Sequence, residues 1–250
     1  MTSALDGFTK IEFDDGRWTR EVYRIGSGPA VIVIHEMPGL HPGVLAFARD
    51  VAAAGMTVFC PSLFGTPAKT ASLGYALGEI AKTLCVRREF NAWATDRSSP
   101  IVDWLRALAR QVHQECGGKG VGAVGMCFTG GFALAMMVDD IMVAPVLSQP
   151  SMPFPVGKAR AADLNLSPDD ALVVARRAAE GCQVLGLRYT GDKLVGTRFE
   201  TLRHLLGDAF IAVELPSTKS TDHSVLTEQR DDESVQKVLT FFQEKLSSRT

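Results

Sequence analysis

The chain has 250 residues, 46% of them hydrophobic, which is enough apolar material for one large globular domain. Its 26 basic and 28 acidic residues give a net charge of −2 and are interspersed, so no basic surface for nucleic acid or anionic membranes is expected. The N-terminal residues do not have the pattern of a signal peptide, and no stretch is long enough to span a bilayer. We therefore expect a cytoplasmic protein that acts on small molecules.

The cysteines argue against a disulfide framework or a zinc site. There are five, an odd number, and they form no C-x-x-C pair and no cluster with histidine at zinc-finger spacing. They are Cys60, Cys85, Cys116, Cys127 and Cys182. Since His35 and His41 also lack the paired spacing of a zinc hydrolase, we expect no metal and no organic cofactor.

The first part of the chain predicts a sheet with an antiparallel edge. Alternating residues at 11–13 and 18–25 flank a turn and indicate two antiparallel strands. The following run over 30–34 is continuous and rich in β-branched residues, which is typical of a parallel strand buried on both faces. A helix at 44–54 and a strand at 56–60 then complete a strand-helix-strand unit, for which a right-handed crossover is the default.

The remainder continues the alternation of strands and helices. Further strands are predicted at 141–147, 183–189 and 209–215, and further helices at 101–116, 171–180, 197–206 and 232–246. Residues 62–97 are irregular, weakly helical over 71–84, and predicted to be an insertion that covers the site. This order predicts one α/β domain over residues 1–250, with a doubly wound, mostly parallel sheet.

A stretch at 121–135 is the strongest functional signal. A short apolar run reaches Gly125, Cys127 follows two residues later, and Gly130 and Gly131 open another apolar segment. This pattern predicts a strand, a sharp turn and a helix, which is the nucleophile elbow that holds a reactive side chain above the sheet. The sequence therefore makes Cys127 a candidate catalytic thiol.

A thiol nucleophile requires a base, and the base requires an orienting partner. In this topology the acid follows a later strand, and the histidine lies in the last loop before the C-terminal helix. Asp192 follows the predicted strand 183–189, and His223 lies between the last strand and the last helix. The chain order of nucleophile, acid and histidine is thus satisfied by Cys127, Asp192 and His223.

With these residues in place, the chain resembles the dienelactone hydrolase family of the α/β-hydrolase superfamily. The resemblance extends over nearly the whole chain and is carried by four segments: His35-Glu36-Met37-Pro38-Gly39, Gly125-Met126-Cys127, Gly191-Asp192 and Asp222-His223-Ser224. It implies a Cys127, His223 and Asp192 triad, with Glu36 as a carboxylate that interacts with the thiol at rest. It also implies an oxyanion hole formed by the backbone N–H groups of Phe128 and Met37.

Glu36 has a specific expected effect. A carboxylate beside a thiol disfavours the thiolate, so the resemblance implies that substrate displaces Glu36 and that the thiolate forms only on binding. The alternative is that Glu36 is simply a salt-bridge partner at a strand end.

Two points depart from the family pattern or are left open by it. Thr129 occupies a position where the family elbow usually has glycine, and its Cβ is expected to crowd the turn. The family substrate is an anion held by arginines, for which Arg87, Arg88 and Arg97 are candidates; solvated surface charge is the alternative for each.

The sequence therefore predicts a hydrolase that cleaves an ester or lactone, which can be anionic, through a cysteine nucleophile. A thioesterase or acyl transferase with the same triad is an alternative. A second alternative, from another class, is a binding or redox-sensing protein that uses Cys127 as an oxidisable thiol. The protein is expected to be a monomer or a homodimer.

Overall fold

The computed structural model describes residues 3–70, 72, 74–75, 78–79, 88–90 and 92–247. Within these residues, eight strands form one sheet in the order β1-β2-β4-β3-β5-β6-β7-β8. The strands are β1 (Thr9–Asp14), β2 (Thr19–Gly26), β3 (Ala30–Ile34), β4 (Thr57–Pro61), β5 (Val121–Met126), β6 (Met142–Ser148), β7 (Val184–Tyr189) and β8 (Phe210–Leu215). The pairs β1–β2 and β2–β4 are antiparallel, and all other neighbours are parallel. The predicted fold class is confirmed.

Helices cover both faces of this sheet. Those of the described residues are α1 (Pro42–Ala53), α2 (Ile101–Cys116), α3 (Phe132–Met136), α4 (Lys158–Ala162), α5 (Pro168–Ala179), α6 (Arg198–Leu206) and α7 (Asp232–Leu246). Helices α1 and α7 pack on one face, whereas α2, α3, α5 and α6 pack on the other. None of the helices in the described ranges is both long and apolar enough to cross a membrane.

The two-sided packing explains the continuous apolar run of β3. All five of its residues are fully buried. Successive side chains of a strand point to opposite faces. Ile32 and Ile34 accordingly join the core beneath α2, whereas Val31 and Val33 join the core beneath α1 and α7. The prediction that this strand lies inside a parallel sheet is confirmed.

Some element boundaries differ from those predicted. The helix after the elbow is only five residues long, because the segment 137–141 turns directly into β6. Helix α5 begins at Pro168, with Ser167 accepting a hydrogen bond from Asp170 N at 3.1 Å, so it starts three residues earlier than predicted. Helix α4 was not predicted. The weak helix expected at 71–84 lies mostly outside the described residues.

Candidate active site

Four neighbouring parallel strands end at one edge of the sheet. Their registers align Ile34 with Gly125, Met126 with Ser148, and Ser148 with Leu187. The polar or reactive residues that follow these strands are Glu36, Cys127, Gln149 and Asp192. Ligands of open α/β sheets bind at this edge, so the fold brings Glu36, Cys127 and Asp192, which the sequence singled out, to one place together with Gln149.

Cys127 lies in a sharp turn directly after β5. Its φ is +52°, in the left-handed region that residues other than glycine adopt at an energetic cost. Two glycines allow the turn to close: a Cβ on Gly125 would come within 2.2 Å of the Thr129 carbonyl oxygen, and a Cβ on Gly130 within 2.4 Å of Pro150. The Cys127 carbonyl oxygen accepts hydrogen bonds from Gly130 N at 2.9 Å and Ser151 N at 3.0 Å. These contacts hold the turn in its strained form.

Thr129 is accommodated within this turn. It is fully buried, and its Oγ1 accepts a hydrogen bond from Met126 N at 3.1 Å. The hydroxyl can donate to the carbonyl oxygen of Ile34 at 3.0 Å, with those of Met126 and His35 at 3.1 and 3.2 Å. The side chain expected to crowd the elbow therefore supplies hydrogen bonds between the ends of β5 and β3.

His223 and Asp192 form a close pair. Nδ1 of His223 lies 2.6 Å from Oδ2 of Asp192, and Leu194 N donates to the other carboxylate oxygen at 2.9 Å. Nδ1 therefore carries a proton that it donates to Asp192, which turns the opposite nitrogen, Nε2, away from the acid. In the part of the chain that the structure describes, Nε2 is buried and makes no hydrogen bond of standard geometry, although Cys127 interacts with the ring and helps to raise its pKa.

The environment favours the charged form of His223. Burial lowers the pKa of the ring, but the electrostatic interaction with Cys127 and the hydrogen bond to Asp192 outweigh burial, so the pKa of His223 is raised well above its ordinary value of 6.5. Cys127 is thus close enough to interact with the ring electrostatically.

Two backbone N–H groups just beyond the ends of β3 and β5 have no hydrogen-bond acceptor among the residues that the structure describes. Met37 lies three residues after Ile34 in β3, and Phe128 lies three residues after Gly125, the residue paired with Ile34. Among the described residues, neither Met37 N nor Phe128 N has a hydrogen-bond acceptor. They are the two donors that the family resemblance implies for an oxyanion hole, and that role stays a prediction.

Glu36 is fully enclosed by hydrogen-bond partners. Its Oε1 lies 3.2 Å from His41 Nε2 and accepts from the Thr227 hydroxyl. Its Oε2 accepts from Ser224 Oγ at 2.8 Å and from Gln149 Nε2 at 3.2 Å. Within the described residues no hydrogen bond joins Glu36 to Cys127, so its implied contact with the thiol at rest stays a prediction.

The Glu36 carboxylate is stabilised as an anion. Burial raises its pKa, but the hydrogen bonds from His41 and Thr227 and the further bond from Ser224 outweigh that effect, and the net pKa is below 4.5. A buried carboxylate without such donors would instead be expected to bind a proton.

The preceding histidine has a structural role. Nδ1 of His35 donates to the Glu36 carbonyl oxygen at 3.0 Å, and Nε2 accepts from Leu63 N at 3.0 Å. Burial lowers the pKa of His35 to about 4, so the ring is neutral at physiological pH. His35 therefore ties the end of β3 to the loop that follows β4.

The model of the dienelactone hydrolase family matches residues 21–155, which is more than half of the chain. The chain belongs to the dienelactone hydrolase family. Its members are hydrolases of ester and lactone bonds, and the predicted activity class is confirmed. A comparison with curated protein sequences gives no significant match.

Solved structures similar to this family member share its fold. A dienelactone hydrolase from Anabaena variabilis is 14% identical, with a TM-score of 0.66, and the match covers 96% of this chain and 98% of that one. A protein assigned as a dienelactone hydrolase in Klebsiella pneumoniae is 19% identical, with a TM-score of 0.61 and coverage of 95% and 97%. A cold-adapted esterase from an Arctic intertidal metagenomic library is 13% identical, with a TM-score of 0.60 and coverage of 96% and 95%.

The candidate arginines are only partly described. Arg87 lies outside the described residues, Arg88 begins a short 3-10 helix (Arg88–Phe90), and Arg97 is exposed on a loop. Their contact with an anionic substrate stays a prediction. As for metals, no three His, Cys, Asp or Glu side chains are grouped as a metal site within the described ranges.

Sequence reasoning missed the surroundings of Glu36. Gln149 is not among the residues that the sequence singles out, and His41 is considered there only as a metal ligand. Ser224 and Thr227 drew no attention as individual side chains. A signal existed for Gln149, because it directly follows β6 at the edge where the other site residues lie. Ser224 and Thr227 become recognisable only when the last loop is placed against that edge.

Proposed function

We propose that the protein hydrolyses an ester or lactone through a covalent intermediate on Cys127. The observation that carries this proposal is the His223 ring, which Asp192 holds through Nδ1 while its charge is stabilised by Cys127 on the strained turn after β5. Within the described ranges Met37 N and Phe128 N have no acceptor, which supports an oxyanion site at the same place.

In the proposed reaction, the Cys127 thiolate attacks the carbonyl carbon, and the carbonyl π electrons move to the oxygen. The resulting oxyanion accepts hydrogen bonds from Met37 N and Phe128 N. When the tetrahedral intermediate collapses, the bond to the leaving alkoxide breaks, and Nε2–H of His223 protonates that alkoxide. A thioester on Cys127 remains.

Hydrolysis of the thioester uses the same groups. Neutral His223 accepts a proton from water at Nε2, and the hydroxide attacks the acyl carbon. The second tetrahedral intermediate expels the thiolate and releases the carboxylic acid, whose proton is lost to solvent. The imidazolium and thiolate are thereby restored for the next cycle.

The deciding experiment compares the wild type with Cys127→Ala and His223→Ala on activated esters, lactones and thioesters, with mass spectrometry of the quenched wild-type reaction. We expect turnover of esters or lactones, its loss in both variants, and an acyl adduct on Cys127. Turnover of thioesters alone would favour the thioesterase alternative. Unchanged turnover in Cys127→Ala would contradict the proposed nucleophile.

A further inference from the structure

The loop that carries His223 is attached to the sheet through a buried carboxylate. Ser224 is adjacent to His223, and Thr227 lies four residues beyond it; both hydroxyls donate to Glu36. Glu36 itself follows β3, the direct neighbour of the strand that leads to Cys127. One side chain therefore joins the loop of the candidate base to the edge that holds the candidate nucleophile.

Other hydrogen bonds determine the internal conformation of the loop but not its position relative to Cys127. Asp222 accepts hydrogen bonds from Thr218 N at 2.7 Å and Lys219 N at 2.8 Å, and Gln229 Oε1 accepts from Ser224 N at 2.9 Å. All these partners belong to the loop itself, so they determine its internal conformation. They leave its distance from Cys127 undetermined.

The loop has further attachments on either side of the segment 224–227. His223 bonds to Asp192, Gly191 N donates to Ser217 Oγ at 2.7 Å, and Arg230 pairs with Asp50 at 2.7 Å. Tyr189 Oη donates to the Gln229 carbonyl oxygen at 2.6 Å, and Val225 N lies 3.4 Å from Gln149 Oε1. Gln149 also donates to Glu36 through Nε2, so the second of these contacts belongs to the same buried group. The hydrogen bonds that join the segment 224–227 to the sheet edge thus lead to Glu36, either directly or through Gln149.

Charge makes this attachment strong. Hydrogen bonds to an ionised carboxylate are shorter and stronger than those between neutral groups, and a buried carboxylate requires its donors to stay in place. Ser224 is 7% exposed and Glu36 2%, so water competes little for their bond. Displacement of the loop would leave the anion with unsatisfied acceptors.

We propose that Glu36 is a positioning residue that holds the His223 loop against the strand edge of Cys127, through the hydroxyls of Ser224 and Thr227. This inference rests on the proposed triad. It assigns Glu36 a role in the alignment of Nε2 with Sγ, distinct from a contact with the resting thiol.

The test uses Glu36→Gln and Thr227→Val, with Thr201→Val as a matched control on α6. We expect kcat to fall by ~10- to 100-fold in Glu36→Gln and Thr227→Val, with KM changed less than threefold, since small misplacement of a catalytic group has effects of this order. Thr227→Ser retains the hydroxyl and is expected to retain kcat. Thr201→Val is expected to behave as the wild type.

Hydrogen exchange separates positioning from general loss of structure. Backbone amides of 222–229 are expected to exchange faster in Glu36→Gln and Thr227→Val, whereas those of β3 and β5 keep their protection. Wild-type kcat together with wild-type exchange in both variants would overturn the positioning role. Faster alkylation of Cys127 in Glu36→Gln, with wild-type kcat in Thr227→Val, would instead support the contact with the thiol.

The two proposals fail in distinguishable ways. Turnover that survives Cys127→Ala would overturn the proposed function whatever the Glu36 variants do. A dead Cys127→Ala enzyme together with fully active Thr227→Val would leave the proposed function intact and overturn the positioning role.

Discussion

The hydroxyl of Thr129 lies 3.0 Å from the carbonyl oxygen of Ile34 and joins the turn after β5 to the end of β3. These two strand ends precede the N–H groups of Phe128 and Met37. The separation of the two candidate oxyanion donors therefore depends on a side chain in the position where the family usually has glycine.

Thr129→Val is expected to weaken both stability and catalysis. The substitution keeps the shape but leaves the buried Met126 N–H without its acceptor, which costs about 1–3 kcal/mol. Urea denaturation measures the free energy of unfolding, and kinetics on an activated ester measure kcat. Thr129→Ser is expected to recover most of the loss. Equal stability of Thr129→Val and the wild type would contradict this account.

The pKa of His223 is expected to fall in Cys127→Ala, because the variant loses the thiolate charge that helps to raise it. A raised pKa means that the charged ring stabilises the fold fully below its unfolded value near 6.5, and that this contribution is lost as pH rises through the folded pKa. In Cys127→Ala the loss is expected at lower pH. Titration of the ring by NMR in both proteins checks the shift, and an unchanged His223 pKa would show that Cys127 does not act on it.

Acid stability is expected to depend on Glu36. Its pKa is lowered on folding, so its ionised form contributes stability above about pH 4.5, and this contribution is lost as pH falls through the depressed folded value. In Glu36→Gln the free energy of unfolding is expected to fall less steeply as the pH decreases. Denaturation from neutral pH to below pH 4.5 checks this, with Glu233→Gln, an exposed residue of α7, as the control. The same decrease in the free energy of unfolding with falling pH in wild type and Glu36→Gln would contradict this prediction.

Arg198→Met is expected to destabilise the protein by at least ~3 kcal/mol, since bonds from a charged donor contribute about 1.5–3 kcal/mol each. The guanidinium is fully buried and donates to the carbonyl oxygens of Leu194 and Val195, just after Asp192, and to three others. The three others belong to Asp163, Pro153 and Arg160.

The matched control for Arg198 is Arg203→Met on the same helix. Arg203 is half-exposed and paired with Glu214, and an exposed ion pair contributes at most about 1 kcal/mol. Denaturation of both variants gives the comparison. Similar losses in the two would show that the buried carbonyl contacts of Arg198 contribute little.

The sequence predicted the features that depend on local pattern. The continuous run of β3, the small residues around Cys127, and the chain order of Asp192 and His223 each follow from short stretches or from topology. The last two residues, placed by order alone, prove to lie 2.6 Å apart. Their catalytic roles stay predictions.

The group around Glu36 could not be predicted in this way. Its bonds to Gln149, Ser224 and Thr227 connect residues that are 113, 188 and 191 positions apart. No periodicity or spacing encodes which hydroxyl of a loop meets a given carboxylate over such separations. That information appears only when the loops of several strands are brought to one edge.

Because β3 and β5 are buried on both faces, their residues tolerate substitution less than the segments that follow the strands. Their side chains pack in both cores, so almost any substitution within these strands is expected to disturb the packing of the whole scaffold. The segments beyond the strand ends also contribute buried residues, such as Leu40, Phe64 and Val225, but their exposed residues have no such packing constraint. Variation of substrate preference, in nature or in directed evolution, is therefore expected to accumulate in those segments while the scaffold stays constant.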